Sequence, residues 1–173
     1  DNEFSPLQMA KYISMLANGG NKIDVSIIKT IRNADGTEES RDNINKFVKQ
    51  KLGLSDDDSE NLNINQENLK VVLEGMRSVT EEGTAASIFK DFEIAVGGKT
   101  GSAEAPGNKV NAWFAGFAPF DNPEIAVVVM AENGGHGYYT ADAVKLIMRE
   151  YFGMNLQNVT EDVTASPSTE TLR

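Results

Sequence analysis

AVGGKTGSAEAPGN (Ala95–Asn108) carries Lys99-Thr100-Gly101 behind two glycines, and two chemistries use such a run. One is a loop that wraps phosphate. The other is a strand edge beside an acyl-transfer nucleophile. A phosphate loop needs a glycine five places before Gly98, where this chain has Glu93, a negative charge where phosphate would sit. It also needs the lysine to open a helix whose amides point at the anion. Gly101-Ser102-Ala103-Glu104-Ala105-Pro106-Gly107 follows instead, a poor helix start. The phosphate reading fails on both counts.

On a strand edge the same residues make chemical sense. A peptide backbone can pair along an open edge, and Gly97, Gly98 and Gly101 remove side chains where another backbone comes close. Lys99 supplies a fixed positive charge, while the hydroxyls of Thr100 and Ser102 can hold a carboxylate. A backbone N–H just after the glycine can serve an oxyanion hole.

The flanks read as an antiparallel meander. Phe92 to Val96 is expected to be the strand leading into the triplet, and Pro106-Gly107-Asn108 turns the chain. Val110 to Phe117 is a second strand, Asp121-Asn122-Pro123 a second turn, and Ile125 to Ala131 an apolar strand expected to be buried on both faces. After Gly134-Gly135-His136-Gly137 a helix runs from about Thr140 to Phe152, with Ala143, Val144, Ile147, Met148 and Tyr151 inward. A lone histidine in a turn reads as structural.

Upstream, Ser5-Pro6-Leu7-Gln8 combines a cap, a first-turn proline and a capping-box glutamine. Met9, Ile13, Leu16 and Ala17 continue at helical spacing, and Asn18-Gly19-Gly20 stops the helix. The β-branched run Ile23 to Ile31 predicts a strand, followed by a turn at Asp35-Gly36. Residues 37–66 form the most polar segment, with Ile44, Phe47, Val48, Leu52 and Leu54 as scattered anchors and an acidic loop at Ser55 to Glu60. Asn65 or Gln66 starts another helix, with Leu69, Val72, Leu73, Met76 and Val79 as its core stripe and Gly83 as its stop. Residues 1–154 read as one unit and 155–173 as a polar, disordered tail.

Composition sets aside several partners. With 26 acidic and 16 basic residues the net charge is −10, a surface that repels nucleic acid and anionic lipid. No cysteine and one histidine leave no disulfide framework and make a zinc site a poor fit, so neither metal nor cofactor is expected. A cysteine-free chain suits a compartment outside the cytoplasm. No run approaches the roughly 18 apolar residues that cross a bilayer, and no stretch given reads as a signal peptide. The opening Asp1-Asn2-Glu3-Phe4, without Met, reads as a chain cut from something longer.

Three stretches in this order, SPLQMAKYISMLANGG, VVLEGMRSVTEEGTA and GGKTGSAE followed by NAWFAGFAPFDNPEIAVVVMAENGGHG, carry a resemblance. From about Glu3 to Phe152 the chain resembles the C-terminal part of the transpeptidase domain of class B penicillin-binding proteins. The resemblance implies an α+β fold, mainly an antiparallel sheet (meander) with flanking helices. It also implies that Lys99, Thr100 and Gly101 are the third active-site motif. Thr100 and Ser102, with Ala103 beside them, would bind the carboxylate of a D-Ala-D-Ala stem peptide or of a β-lactam, and the Ser102 backbone N–H would be an oxyanion donor. Trp113 and Phe114 look like core residues of the adjacent strand.

The family mechanism needs a serine and a lysine one helical turn apart. Ser26-Ile27-Ile28-Lys29 and Ser87-Ile88-Phe89-Lys90 match in spacing, and Ser59-Glu60-Asn61 fits a Ser-x-Asn motif. Ser26 and Lys29 lie in a β-branched run, where residues three apart point to opposite faces. Ser87 has no helical pattern behind it, and Ser59 sits among clustered carboxylates. All three are judged decoys, so the nucleophile is expected upstream. The parent would be a peptidoglycan D,D-transpeptidase on the outer face of the bacterial cytoplasmic membrane, anchored by an upstream segment and working with other cell-wall synthesis proteins. A β-lactam sensor or β-lactamase relative, or a non-catalytic binding module, remain as alternatives. An isolated half-domain is expected to expose the apolar face that its missing helices would cover.

Overall fold

A computed structural model describes residues 4–23, 25, 28–53 and 61–154. Helix α1 (Pro6–Ala17) begins at the capping box. The Gln8 amide donates to the Ser5 hydroxyl at 3.3 Å, and the Ser5 amide donates to the Gln8 side chain at 2.8 Å. Gly20, at φ +92°, closes the other end by donating to the Met15 carbonyl at 2.8 Å.

The polar segment holds a helix that the scattered anchors did not suggest, α2 (Arg41–Leu52). Ser40 caps it, Asp42 lies in its first turn, Lys49 and Lys51 lie in its last, and Gly53 ends it in the left-handed conformation. Only Ile44 on this helix is buried. The strand expected at Ile23 to Ile31 is not formed among its described residues. Ile23 and Val25 are exposed; β-branched residues favour a strand only where a pleated neighbour packs against them. What forms instead is an isolated bridge between Arg32 and Glu38 across the Asp35-Gly36 turn, with an ion pair at 2.8 Å.

Helix α3 (Gln66–Glu81) starts at an Asn65 cap and buries Leu69, Met76 and Thr80, whereas Val72 is half exposed. A short turn of helix, α4 (Ala86–Phe89), follows. The sheet then runs as a meander, β1 (Gly97–Ala105), β2 (Lys109–Ala118) and β3 (Ile125–Ala131), antiparallel in the order β1-β2-β3. Residues 92–96, expected as strand, lie outside it; Phe92 and Val96 are buried and plug the core instead. The 106–108 turn holds Gly107 and Asn108 at positive φ, as the sequence signalled.

Alternation along the strands builds two cores. On one face Phe114, Ala118 and Val127 pack with Phe89, Val96 and helix α5 (Tyr138–Tyr151). On the other, Ala115 and Phe117 pack with Ile13, Leu16, Leu69 and Met76 of α1 and α3. The helices thus lie on opposite faces of the sheet. Strand β3 is half-buried along most of its length rather than buried on both faces, because among the described residues it pairs only with β2.

Helix α5 is rotated from its expected orientation. It buries Thr140, Ala141, Val144 and Met148, while Ile147 and Tyr151 are 45% and 53% exposed. Ala141, Val144 and Met148 turn into the core beside Phe89 and Phe114, and on the flank Asp91 pairs with Lys145 at 2.5 Å and with Arg149 at 3.1 Å. The hydrogen bond from Lys145, reinforced by the charges of Lys145 and Arg149, holds the Asp91 carboxyl below its ordinary value of 3.8. A carboxyl lowered on folding adds stability above its unfolded value and loses it as pH falls through the folded one. Asp91→Asn is therefore expected to reduce the loss of stability seen in urea melts as pH drops below about 4. Near neutrality its cost stays at or below about 1 kcal/mol, because Asp91 is largely exposed.

Candidate active-site wall

The triplet lies on β1, whose second edge is unpaired among the described residues. The pleat sends neighbouring residues to opposite faces. Lys99, Gly101 and Ala103 border an open apolar trough of about 610 Å³ between α1, α3 and the sheet, with Phe4, Tyr12, Val72 and Trp113 along its walls. Ser102 borders a smaller pocket of about 320 Å³ with Thr84, His136, Gly137 and Tyr138, and Thr100 and Gly101 lie at the boundary and line both. Trp113 is thus half-buried at the trough, not in the core as expected, whereas Phe114 is fully buried.

The Lys99 ammonium donates to the Thr100 carbonyl at 2.7 Å, which holds the positive charge along the strand. The Thr100 hydroxyl oxygen lies 2.9 Å from that of Thr84. Ser102 and His136 are exposed at the pocket, and the His136 ring stacks at 6.2 Å on Tyr138. Hydrogen bonding to Tyr139 holds the Tyr138 phenol above its ordinary value.

The glycines have a different use from the one expected. A Cβ on Gly97 would lie 2.5 Å from the Phe117 ring, and one on Gly98 would lie 2.4 Å from the Phe114 ring. Both are empty because the chain's own aromatics fill the space. A backbone does approach closely at Gly101, and it is the chain's own: a Cβ on Gly137 would sit 2.5 Å from the Gly101 carbonyl oxygen and 2.6 Å from that of Trp113. The 134–137 turn therefore rests on the back of the triplet.

Of the serine candidates, the structure describes Ser87 and places it apart from this wall. Ser26 and Ser59 fall outside the described residues. Ser87 does lie on a helical turn with Lys90, α4 and its cap, contrary to the expectation that no helix supports it. It lines another cleft, with Arg77, Glu81, Lys90 and Glu93, that none of residues 99–103 borders. Among the described residues no cluster of three or more acidic or histidine side chains could hold a metal ion. No described helix is long and apolar enough to cross a membrane. Thr84 and Tyr138 escaped the sequence reading, since each joins the triplet only through folding.

The pattern of the penicillin-binding protein transpeptidase domain matches residues 3–152. Penicillin-binding protein H of Bacillus subtilis is 32% identical over 137 residues, covering 73% of this chain and 18% of that protein. The peptidoglycan D,D-transpeptidase MrdA of Acinetobacter baumannii is 30% identical over 165 residues, 82% of this chain and 21% of the relative. Among solved structures, PBP2 of Pseudomonas aeruginosa in complex with WCK 5153 superposes with a TM-score of 0.67 at 31% identity, over 86% of this chain and 30% of that one. The chain thus spans about a fifth of the length of these curated relatives. With the meander, its flanking helices and the matched span together, the chain belongs to the penicillin-binding protein transpeptidase domain family, of the class B type.

Proposed function

We propose that this chain supplies one wall of the acyl-transfer site of a peptidoglycan D,D-transpeptidase, with the nucleophilic serine and its lysine carried by an upstream part of the same protein. The observation that carries the reading is the position of Lys99-Thr100-Gly101 on a strand edge that is unpaired among the described residues, where an extended peptide can lie along the backbone. Thr100 and Ser102, with Ala103 beside them, receive the carboxylate of a D-Ala-D-Ala stem peptide or of a β-lactam. Lys99 and Gly101 shape the approach, and the Ser102 backbone N–H stabilises the oxyanion. The serine hydroxyl attacks the peptide carbonyl, its proton passes to the neutral lysine, the terminal D-Ala leaves as the amine, and a second stem peptide takes the acyl group.

The open trough supports this reading. Phe4, Tyr12 and Val72 stay about half exposed along it, an apolar surface of the kind that further chain covers. The relatives are long enough to contain that chain. The parent then works at the extracytoplasmic face of the bacterial cytoplasmic membrane, held by an upstream anchor and beside other cell-wall synthesis proteins.

The test is an intact mass after incubation with excess benzylpenicillin. The expected result is an unshifted mass for this chain and a single penicilloyl adduct once the upstream segment is restored. An adduct on this chain alone would overturn the divided-site reading and send peptide mapping to Ser87 and Ser26.

A further inference from the structure

Thr84 takes no part in the family motif, yet its hydroxyl oxygen lies 2.9 Å from that of Thr100, sixteen residues on. The turn that carries it is firmly held. The Gly83 amide donates to the Ser78 carbonyl at 2.8 Å, and the amide of fully buried Ala85 donates to the Val79 carbonyl at 3.0 Å. One turn earlier the buried Thr80 hydroxyl donates to the Val96 carbonyl, just ahead of β1. The end of α3 is thus tied to the strand at two points. The Thr80 tie is buried, while the Thr84 tie is exposed and opens on the side pocket shared with Ser102 and His136.

A hydroxyl has one hydrogen and two lone pairs. If Thr100 gives its hydrogen to Thr84, none remains for an anion in the pocket. If Thr84 gives its hydrogen to Thr100, the Thr100 hydrogen is free to turn outward, and accepting a bond makes it the better donor. The geometry points to Thr84 as a positioning residue whose hydroxyl sets the rotor of Thr100, so that Thr100 donates to the carboxylate of the acyl donor. This rests on the reading of Thr100 as a carboxylate ligand.

The test uses the full-length protein that carries this chain. Acylation rates are measured with benzylpenicillin and with its methyl ester, whose carboxylate is masked; their ratio is the carboxylate preference. Thr84→Val is expected to slow benzylpenicillin by about three- to tenfold, the scale of one neutral hydrogen bond, and to leave the ester rate in place. Thr84→Ser is expected to restore the preference. Thr84→Val added to Thr100→Val is expected to cost nothing further, since the two hydroxyls act as one unit. Thr84→Ala, which adds no bulk, serves if the valine disturbs the turn.

Equal slowing of both probes, or no rescue by serine, overturns the positioning role and makes Thr84 a structural tie. If Thr100→Val abolishes the preference while the Thr84 variants keep it, the positioning role falls and the site reading stands. If Thr100→Val itself keeps the preference, the carboxylate assignment falls and takes the positioning role with it.

Discussion

Gly137→Ala is expected to destabilise the fold by about 3 kcal/mol, the upper end of what one inserted methyl costs in a packed site. The backbone there is already helical, at φ −63° and ψ −12°, so alanine should suit it. Space decides otherwise: the new Cβ would lie 2.5 Å from the Gly101 carbonyl oxygen and 2.8 Å from the Gly101 nitrogen. Those are backbone atoms of a paired strand and cannot swing aside as a side chain can. The start of α5 must lift from the sheet, or β1 must bend at the triplet. Gly75→Ala is the matched control. It sits inside α3 with nothing within 4 Å of the added Cβ, and is expected to stabilise by about 0.5–1 kcal/mol through helix propensity. Urea unfolding followed by Trp113, the one tryptophan, reads both variants. Equal effects of the two substitutions would overturn the close-approach argument.

Phe114→Ala should cost about 4 kcal/mol, within the range for emptying a buried aromatic site. Phe114 is fully buried, with its ring 5.7 Å from that of Phe89 and pressed over Gly98. A glycine cannot lean into the void left behind, so the cavity stays open. That loss is a large part of the roughly 5–15 kcal/mol that holds a domain together. The sharper result is the coupling with position 98. In the parent chain Gly98→Ala collides with the ring at 2.4 Å and is expected to destabilise by about 1–3 kcal/mol. In the Phe114→Ala background the same methyl enters the vacated space and should be neutral or favourable. Additive effects in a double-mutant cycle would mean that the ring does not occupy the space above Gly98.

Local grammar made much of the architecture legible. The Ser5 box, the Pro106-Gly107-Asn108 turn and the Asn65 start of α3 announce themselves through residues whose chemistry acts within a few positions. Sequence and structure part where the deciding partner is distant. Ile23 to Ile31 has strand-forming side chains but no strand beside its described part. α2 carries almost no apolar signal although Ser40 and Gly53 frame it, because only Ile44 on it is buried. The rotation of α5 depends on the core that Phe89, Phe114 and Val127 of other elements build beneath it.

The site divides along the same line. Lys99-Thr100-Gly101 is contiguous and could be singled out from its own letters. The emptiness of Gly97 and Gly98 was visible, but not its cause, because the rings that fill the space arrive from Phe117 and Phe114 on the next strand. Thr84 left no trace at all: a threonine after a helix-ending glycine is ordinary until folding sets it against Thr100.

The pleat of β1 also limits how this segment can change length. Lys99 and Ala103 share the sheet face of Ala115, and Thr100 and Ser102 share the opposite face, that of Phe114. Deleting one residue between Phe92 and Lys99 while the downstream ladder slid to compensate would exchange the two sets, sending ammonium where hydroxyls stand. Gly97 and Gly98 resist the slide because their partners Phe117 and Gly116 are locked in register, with Phe114 two residues along. Length changes beside the triplet should therefore be tolerated by twos, or absorbed in the 106–108 turn, where a hairpin can grow without moving the strand behind it.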